Sequence, residues 1–176
     1  MVLCHYAMVG ILDEVRRALA KGEDVNSKDE NNRTGLMYAV WKNHNPVVRL
    51  LLEQPTVDLN CTNQNGTTAL HYAVDDDNVE GVRMLLADPR LNTVNHKDRW
   101  GRTPVMAAMK WKSVNALREL VNHPSVDLDT RDGSGISLEE SARWVEQFQL
   151  VEFFDLFVAG CVDLKKVKGL SMTLVR

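Results

Sequence analysis

The sequence predicts an all-α solenoid, a stack of one helix–turn–helix unit whose copies are joined by short β-hairpin loops. A phrase recurs as Asn32-Arg33-Thr34-Gly35-Leu36-Met37-Tyr38-Ala39, as Gly66-Thr67-Thr68-Ala69-Leu70-His71-Tyr72-Ala73 and as Gly101-Arg102-Thr103-Pro104-Val105-Met106-Ala107-Ala108. A worn fourth copy runs from Gly135 through Ser137 to Ala142. The anchor hydroxyls Thr34, Thr68, Thr103 and Ser137 lie 34, 35 and 34 residues apart. A fixed period of that size marks a stacked array rather than a globular core around one pocket. Apolar residues after each phrase return at the helical spacing and not at the strand spacing.

Each unit opens on a polar turn: Asp29-Glu30-Asn31-Asn32, Asn63-Gln64-Asn65-Gly66, Asp98-Arg99-Trp100-Gly101 and Asp132-Gly133-Ser134-Gly135. Gly supplies the positive φ that a tight hairpin needs, and Asn is its usual substitute. The anchor hydroxyl then takes the N-cap position, where its oxygen can accept from free backbone N–H groups. Pro104 suits the first helical position, since its missing N–H costs nothing there. Ser137 and Glu140 have the spacing of a capping box.

A short helix follows, with Ala39, Ala73, Ala107 and Ala108 small enough for close stacking. After a second break comes an amphipathic helix, patterned as Val47, Val48, Leu51, Leu52, then Val79, Val82, Leu85, Leu86, then Val114, Leu117, Leu120, Val121, then Leu150, Val151, Phe153, Phe154. The loops close on Asp24-Val25-Asn26, Asp58-Leu59-Asn60, Thr93-Val94-Asn95 and Asp127-Leu128-Asp129.

Hairpin, helix, helix and loop at this period resemble the ankyrin repeat, as do the Thr-Pro-Leu-His-like phrases and the Asp-Val-Asn-like loop ends. The resemblance divides the chain into a partial or capping unit over 1–26, repeats over 27–60, 61–95 and 96–129, a degenerate repeat over 130–164, and a tail over 165–176. The first unit lacks its hairpin, and Glu139 and Glu140 replace the family's Leu-His in the last full one. The resemblance implies an L-shaped stack whose inner helices line a concave groove. It also implies that partner specificity lies at the hairpin tips and at the two residues after the inner-helix alanines.

Those positions carry Arg33, Trp41 and Lys42 in the first full repeat and Asp75 and Asp76 in the second. The third has Arg99, Trp100, Arg102, Lys110 and Trp111, and the fourth Arg131 and Trp144. All four tryptophans of the chain fall there, and Trp is enriched among interface hot spots. Trp41, Trp111 and Trp144 are expected as apolar anchors, although each could instead cover a neighbouring repeat. Asp75 and Asp76, aligned between Trp41 and Trp111, are expected to take a basic side chain by ion pairing and cation–π attraction. Asp77 and Asn78 suit the N-terminus of the outer helix. Arg99, Arg102 and Arg131, with Lys97, form a basic strip that could meet acidic or backbone groups.

Leu52-Glu53-Gln54-Pro55-Thr56-Val57-Asp58-Leu59-Asn60 resembles the pattern that an oxygen-dependent asparaginyl hydroxylase recognises in ankyrin repeats, with Asn60 as acceptor. A loop-end Asn bonding the neighbouring backbone explains the same residue. His71 occupies the family's structural histidine position, where the side chain bonds backbone.

The expected partner is therefore a protein or peptide in the concave groove, bound by a monomeric, non-enzymatic interaction module. A regulator clamping a folded enzyme domain, or a recruitment arm of a larger protein, are the alternatives. No cofactor, metal or small-molecule substrate is expected: no Gly-rich phosphate loop, nucleophile context or metal-ligand spacing occurs. A formal net charge of −3 gives no general attraction for nucleic acid or an anionic membrane. The apolar runs are too short to span a bilayer. Cys4, Cys61 and Cys161, odd in number and widely spaced, fit a reducing cytoplasm or nucleus. The N-terminus lacks the pattern of a secretory leader.

Overall fold

In a computed structural model, which describes residues 2–138, 140 and 141, eight helices alternate between two layers. The inner layer holds α1 (Val2–Val9), α3 (Gly35–Trp41), α5 (Ala69–Asp75) and α7 (Pro104–Trp111). The outer layer holds α2 (Leu12–Ala20), α4 (Asn45–Leu52), α6 (Val79–Ala87) and α8 (Val114–Val121). Each inner helix packs on its outer partner and on the inner helix of the next unit, so contacts pass from neighbour to neighbour as a solenoid requires. Trp144, the outer helix expected after it and the 165–176 tail lie outside the described residues.

The inner helices α3 and α5, with a unit on each side, are buried nearly all round, whereas α1 buries only Leu3, Cys4 and Ala7. Leu36, Met37, Ala39 and Val40 of α3 and Leu70, Ala73 and Val74 of α5 are inaccessible or nearly so. The outer helices bury one stripe, Val47, Val48 and Leu51 in α4 and Leu117 and Leu120 in α8, and leave the rest to solvent. Loop residues Val25, Val57, Leu59 and Val94 complete the core.

The hairpin tips turn at Asn32, Gly66, Gly101 and Gly135, with φ between 59° and 80°. An Asp or Asn five residues before each anchor hydroxyl braces the turn. Oδ1 of Asp29 accepts from the N–H of Asn31 and Arg33, Asn63 from Asn65 and Thr67, Asp98 from Trp100 and Arg102, and Asp132 from Ser134 and Ile136, all at 2.8–3.0 Å. Successive hairpins are then stitched by Gln64 N–H to Asn31 C=O, Arg99 N–H to Asn65 C=O and Gly133 N–H to Trp100 C=O, at 3.1, 2.8 and 2.9 Å. At Gly133 a Cβ would lie 2.6 Å from the Trp100 carbonyl oxygen, so the close approach needs glycine there.

Caps follow the expectation in three units. Thr34 accepts from Met37 N–H at 3.3 Å and Thr68 from His71 N–H at 3.4 Å. Ser137 and Glu140 form the expected capping box, with bonds of 2.7 and 3.1 Å. Thr103 departs: its hydroxyl is buried without a partner. Pro104 compensates by presetting the helical φ and removing one orphan N–H. Asp77 also differs from its expected role on its own outer helix. Asn78 caps that helix, accepting from Gly81 N–H at 2.8 Å, whereas Asp77 reaches the next unit and accepts from Ala116 N–H of α8 at 2.7 Å.

His71 ties two units together. Its Nε2 lies 3.0 Å from the Arg102 carbonyl and must donate to it, so Nδ1 is unprotonated and accepts from Thr68, whose Oγ1 is 2.8 Å away. Burial disfavours the imidazolium and lowers the pKa to about 4 from 6.5; Asp98 and the Arg102 carbonyl oppose that shift, and His96 and Arg102 add to it. Above pH 6.5 the ring is neutral folded and unfolded alike. Between 6.5 and 4 only the unfolded chain takes up the proton, so stability falls as the pH falls, by up to about 3 kcal/mol. Met37 and Met106 fill the equivalent position. Chemical denaturation of His71→Met across this range is therefore expected to show a shallower loss than the parent chain.

Candidate functional site

The third full repeat exposes two tryptophans. Trp100 stands at its hairpin tip, 47 % exposed, with the guanidinium carbons of Arg99 and Arg102 at 4.8 and 4.4 Å from its ring centroid. Trp111, at the end of α7, is 51 % exposed with Lys110 Nζ at 5.6 Å. Cations over an indole hold it by its quadrupole and cover its faces without desolvating it fully.

Arg102 is part of the hairpin. Its Nε and NH2 donate to Asp98 Oδ2 at 2.9 and 2.7 Å, and the two side chains are only 12 % and 2 % exposed. Burial alone would raise the Asp98 pKa, but the guanidinium and the backbone donors of Arg102 and Trp100 together hold it below the usual carboxylate range. The expectation that Arg102 meets a partner's acid therefore meets an obstacle, because its charge is already spent. The rest of the strip is tied at the surface. Arg99 donates to Asn65 Oδ1 at 2.7 Å, Lys97 to the Arg131 carbonyl at 2.7 Å, and Arg131 to Gly135 O and Glu140 Oε2 at 2.8 and 3.1 Å.

Trp41 stands apart from the other two. Half-buried, it packs on the core with ring centroids 5.4 Å from Tyr72 and 6.3 Å from Tyr38, so it covers the neighbouring repeat. Arg33 Cζ and Lys42 Nζ lie 5.6 and 4.1 Å from its ring, so its cation-binding capacity is already used within the chain. Asp75, the last residue of α5, is half-buried. Burial first and the adjacent Asp76 charge second raise its pKa, with Arg102 pulling against them. Asp76 accepts from Asn43 Nδ2 at 2.6 Å. Two carboxylates at a helix C-terminus also oppose the helix dipole, so a cation there would be welcome.

Among the described residues, no three His, Cys, Asp or Glu side chains gather to hold a metal, and no helix is long and apolar enough to cross a membrane. A family profile described as ankyrin repeats (3 copies) matches residues 3–95. The chain belongs to the ankyrin-repeat family. A relative described as "Putative glutaminase 2", from Caenorhabditis elegans, is 27 % identical over 116 residues, which cover 66 % of this chain and 13 % of that protein.

The ankyrin loop ends form a ladder of asparagines. Asn26 bridges to the Thr56 carbonyl and Asp58 N–H, both at 2.7 Å, and Asn95 to Ser125 and Asp127 at 2.7 and 2.8 Å. Asn60 donates to the Arg90 carbonyl at 2.9 Å and accepts from Asn92 N–H and Thr93 Oγ1 at 2.8 and 3.1 Å. A modifying enzyme that needs this loop extended must first break those bonds. Sequence reasoning placed Arg33 on this surface but missed Asp98, Tyr38 and Tyr72 as its determinants. The signal lay in the register: an Asp or Asn precedes every anchor by five residues, and Tyr follows two of them by four.

Two stability tests follow from these positions. Trp41→Ala is expected to cost on the order of 3 kcal/mol in urea unfolding, whereas Trp111→Ala should stay within about 0.5 kcal/mol of the parent. Asn60→Ala should lower stability by about 1–3 kcal/mol, since it leaves loop donors and an acceptor unpaired, and hydrogen exchange should rise at Asn92.

Proposed function

We propose that this ankyrin stack is a non-enzymatic module that holds an extended segment of a partner protein in its concave groove. Ankyrin repeats are protein-interaction modules, and the feature that carries the finer reading is the pair Trp100 and Trp111. Each exposes about half of a large rigid side chain on one repeat, at positions that vary with the partner in this family. Such residues bury much area at little entropic cost when a partner covers them. Lys110 and Arg99 flank them as polar rim. Asp75 and Asp76, one repeat earlier, take a basic side chain of the partner. Arg131 meets acidic or backbone groups along the hairpin edge, and Trp144 extends the apolar anchors.

The match to 13 % of a much longer relative named as a glutaminase favours a second reading, in which the stack is the recruitment arm of a larger protein. The two readings share the same surface and differ in what the arm is attached to.

A pull-down comparing the parent chain with Trp100→Ala/Trp111→Ala checks the assignment. Loss of the captured partner, with an affinity drop of at least about 2 kcal/mol by calorimetry and an unchanged melting temperature, is the expected result. Equal capture by both forms would move the site to the outer helices or the loop ends.

A further inference from the structure

Arg33 and Arg102 occupy the same place, one residue before the anchor threonine, and meet different fates. Position four beyond the anchor is Ala107 in the third full repeat, so Arg102 reaches its hairpin carboxylate unopposed. In the first full repeat that position is Tyr38, whose hydroxyl donates to Asp29 Oδ2 at 2.6 Å. The other Asp29 oxygen is held by the N–H groups of Asn31 and Arg33. The Arg33 guanidinium is thereby shut out of its own carboxylate. It donates to the Tyr38 hydroxyl at 3.3 Å with the Tyr72 hydroxyl close by, and its Nε is buried without a partner. Three rings surround it: its Cζ lies 5.7, 5.6 and 6.0 Å from the centroids of Tyr38, Trp41 and Tyr72. Among the described residues neither Arg33 nor the neighbouring Lys42 enters an ion pair.

We propose that this aromatic-backed guanidinium is a receptor for a carboxylate, taking an Asp or Glu side chain of the partner segment at the first two full repeats. The proposal rests on the interaction-module reading and names the charge that its N-terminal half selects. A guanidinium offers five N–H donors in one plane; the buried Nε is out of a ligand's reach, and the Tyr38 hydroxyl takes one of the four on the two terminal nitrogens. Rings on several sides restrict that plane before any ligand arrives, so little rotamer entropy remains to be lost when a carboxylate docks. A charge-assisted bond to an ionised acid is among the strongest a surface can make. A basic side chain would meet the opposite situation, because two cations already lie over the Trp41 indole. The groove thus selects acid at its N-terminal half and, at Asp75 and Asp76, base further on. An extended segment would carry its acidic residue ahead of or behind its basic one by a fixed spacing.

The test is selection of a random linear peptide library on the whole chain, on Arg33→Gln and on Arg33→Lys, each checked for an unchanged thermal melt. Selection on the parent chain is expected to yield peptides with Asp or Glu at one fixed position. Replacing that residue by Asn or Gln in a selected peptide should weaken binding to the parent about tenfold and leave binding to Arg33→Gln unchanged, which couples the two groups directly. Arg33→Lys, which keeps the charge without the planar fork, should retain the acidic preference with weaker affinity and covers the case in which the Gln form unfolds. Peptides with no acidic position, with a basic one there, or with an acidic preference that survives in Arg33→Gln overturn the inference and leave the module intact. Failure to select any peptide on the parent chain overturns the groove reading itself, and this inference with it.

Discussion

No unit of this chain can satisfy itself. Each leaves the buried flank of its inner helix, a hairpin edge and a loop end without partners, and only the adjoining unit supplies all three. The apolar part is the pressing of α3 on α5 and of α5 on α7 through Ala39, Ala73 and Ala108, none of which retains accessible surface. The polar part runs parallel to it. Hairpin backbones bond to each other, Asn26, Asn60 and Asn95 bridge successive loops, Asp77 caps the next outer helix, and His71 reaches the next hairpin. The more buried of these groups, at His71 and Asp77, would lose more by going unpaired than a typical hydrogen bond contributes, so stacking and polar satisfaction occur together there. That coupling makes the array stiff enough to display side chains at fixed spacing.

The display is written on a frame that repeats, and small changes in the frame alter its chemistry. The guanidinium at one hairpin position bonds its hairpin carboxylate directly in one repeat and is kept off it in another, depending on whether Ala107 or Tyr38 stands on the helix below. Replacing Asp by Asn at position 63 turns the same tyrosine interaction around: Asn63 Nδ2 donates to the Tyr72 hydroxyl at 2.8 Å, where Tyr38 donates to Asp29. The hairpin residue and the helix residue thus act as a pair, and the surface charge of each repeat follows from the pair.

The tryptophans show the same dependence on neighbours. Trp41 is followed one repeat later by Tyr72, a ring wide enough to stack on, and it is drawn into the core. Among the described residues no ring packs against Trp111, which stays half exposed with Lys110 above it. Trp100 lies at the hairpin rather than on the helix and is held outward between two guanidinium groups. Three indoles that look alike in the aligned repeats therefore divide into one that stabilises the stack and two that stay about half exposed.

The period, the helix pairs, the positive-φ tips and the Ser137–Glu140 capping box were all legible in the sequence, because each depends on residues a few positions apart in one chain segment. So was the list of surface positions. What each of those positions does was decided only by the tertiary structure. Whether Arg102 is a free cation depends on Asp98 and on the absence of a tyrosine at Ala107. Whether Asp77 caps its own helix or the next depends on where Ala116 comes to rest, and whether Trp41 is exposed depends on Tyr72. The partners of Asp77 and Trp41 lie 39 and 31 residues away and meet them only across the interface between units, whereas Asp98, Arg102 and Ala107 belong to one repeat and are brought together by its hairpin folding back on its helix. Periodicity carries the information for the frame, but occupancy of a shared hydrogen-bond acceptor or ring face is a competition among neighbours, and only their placement in space resolves it.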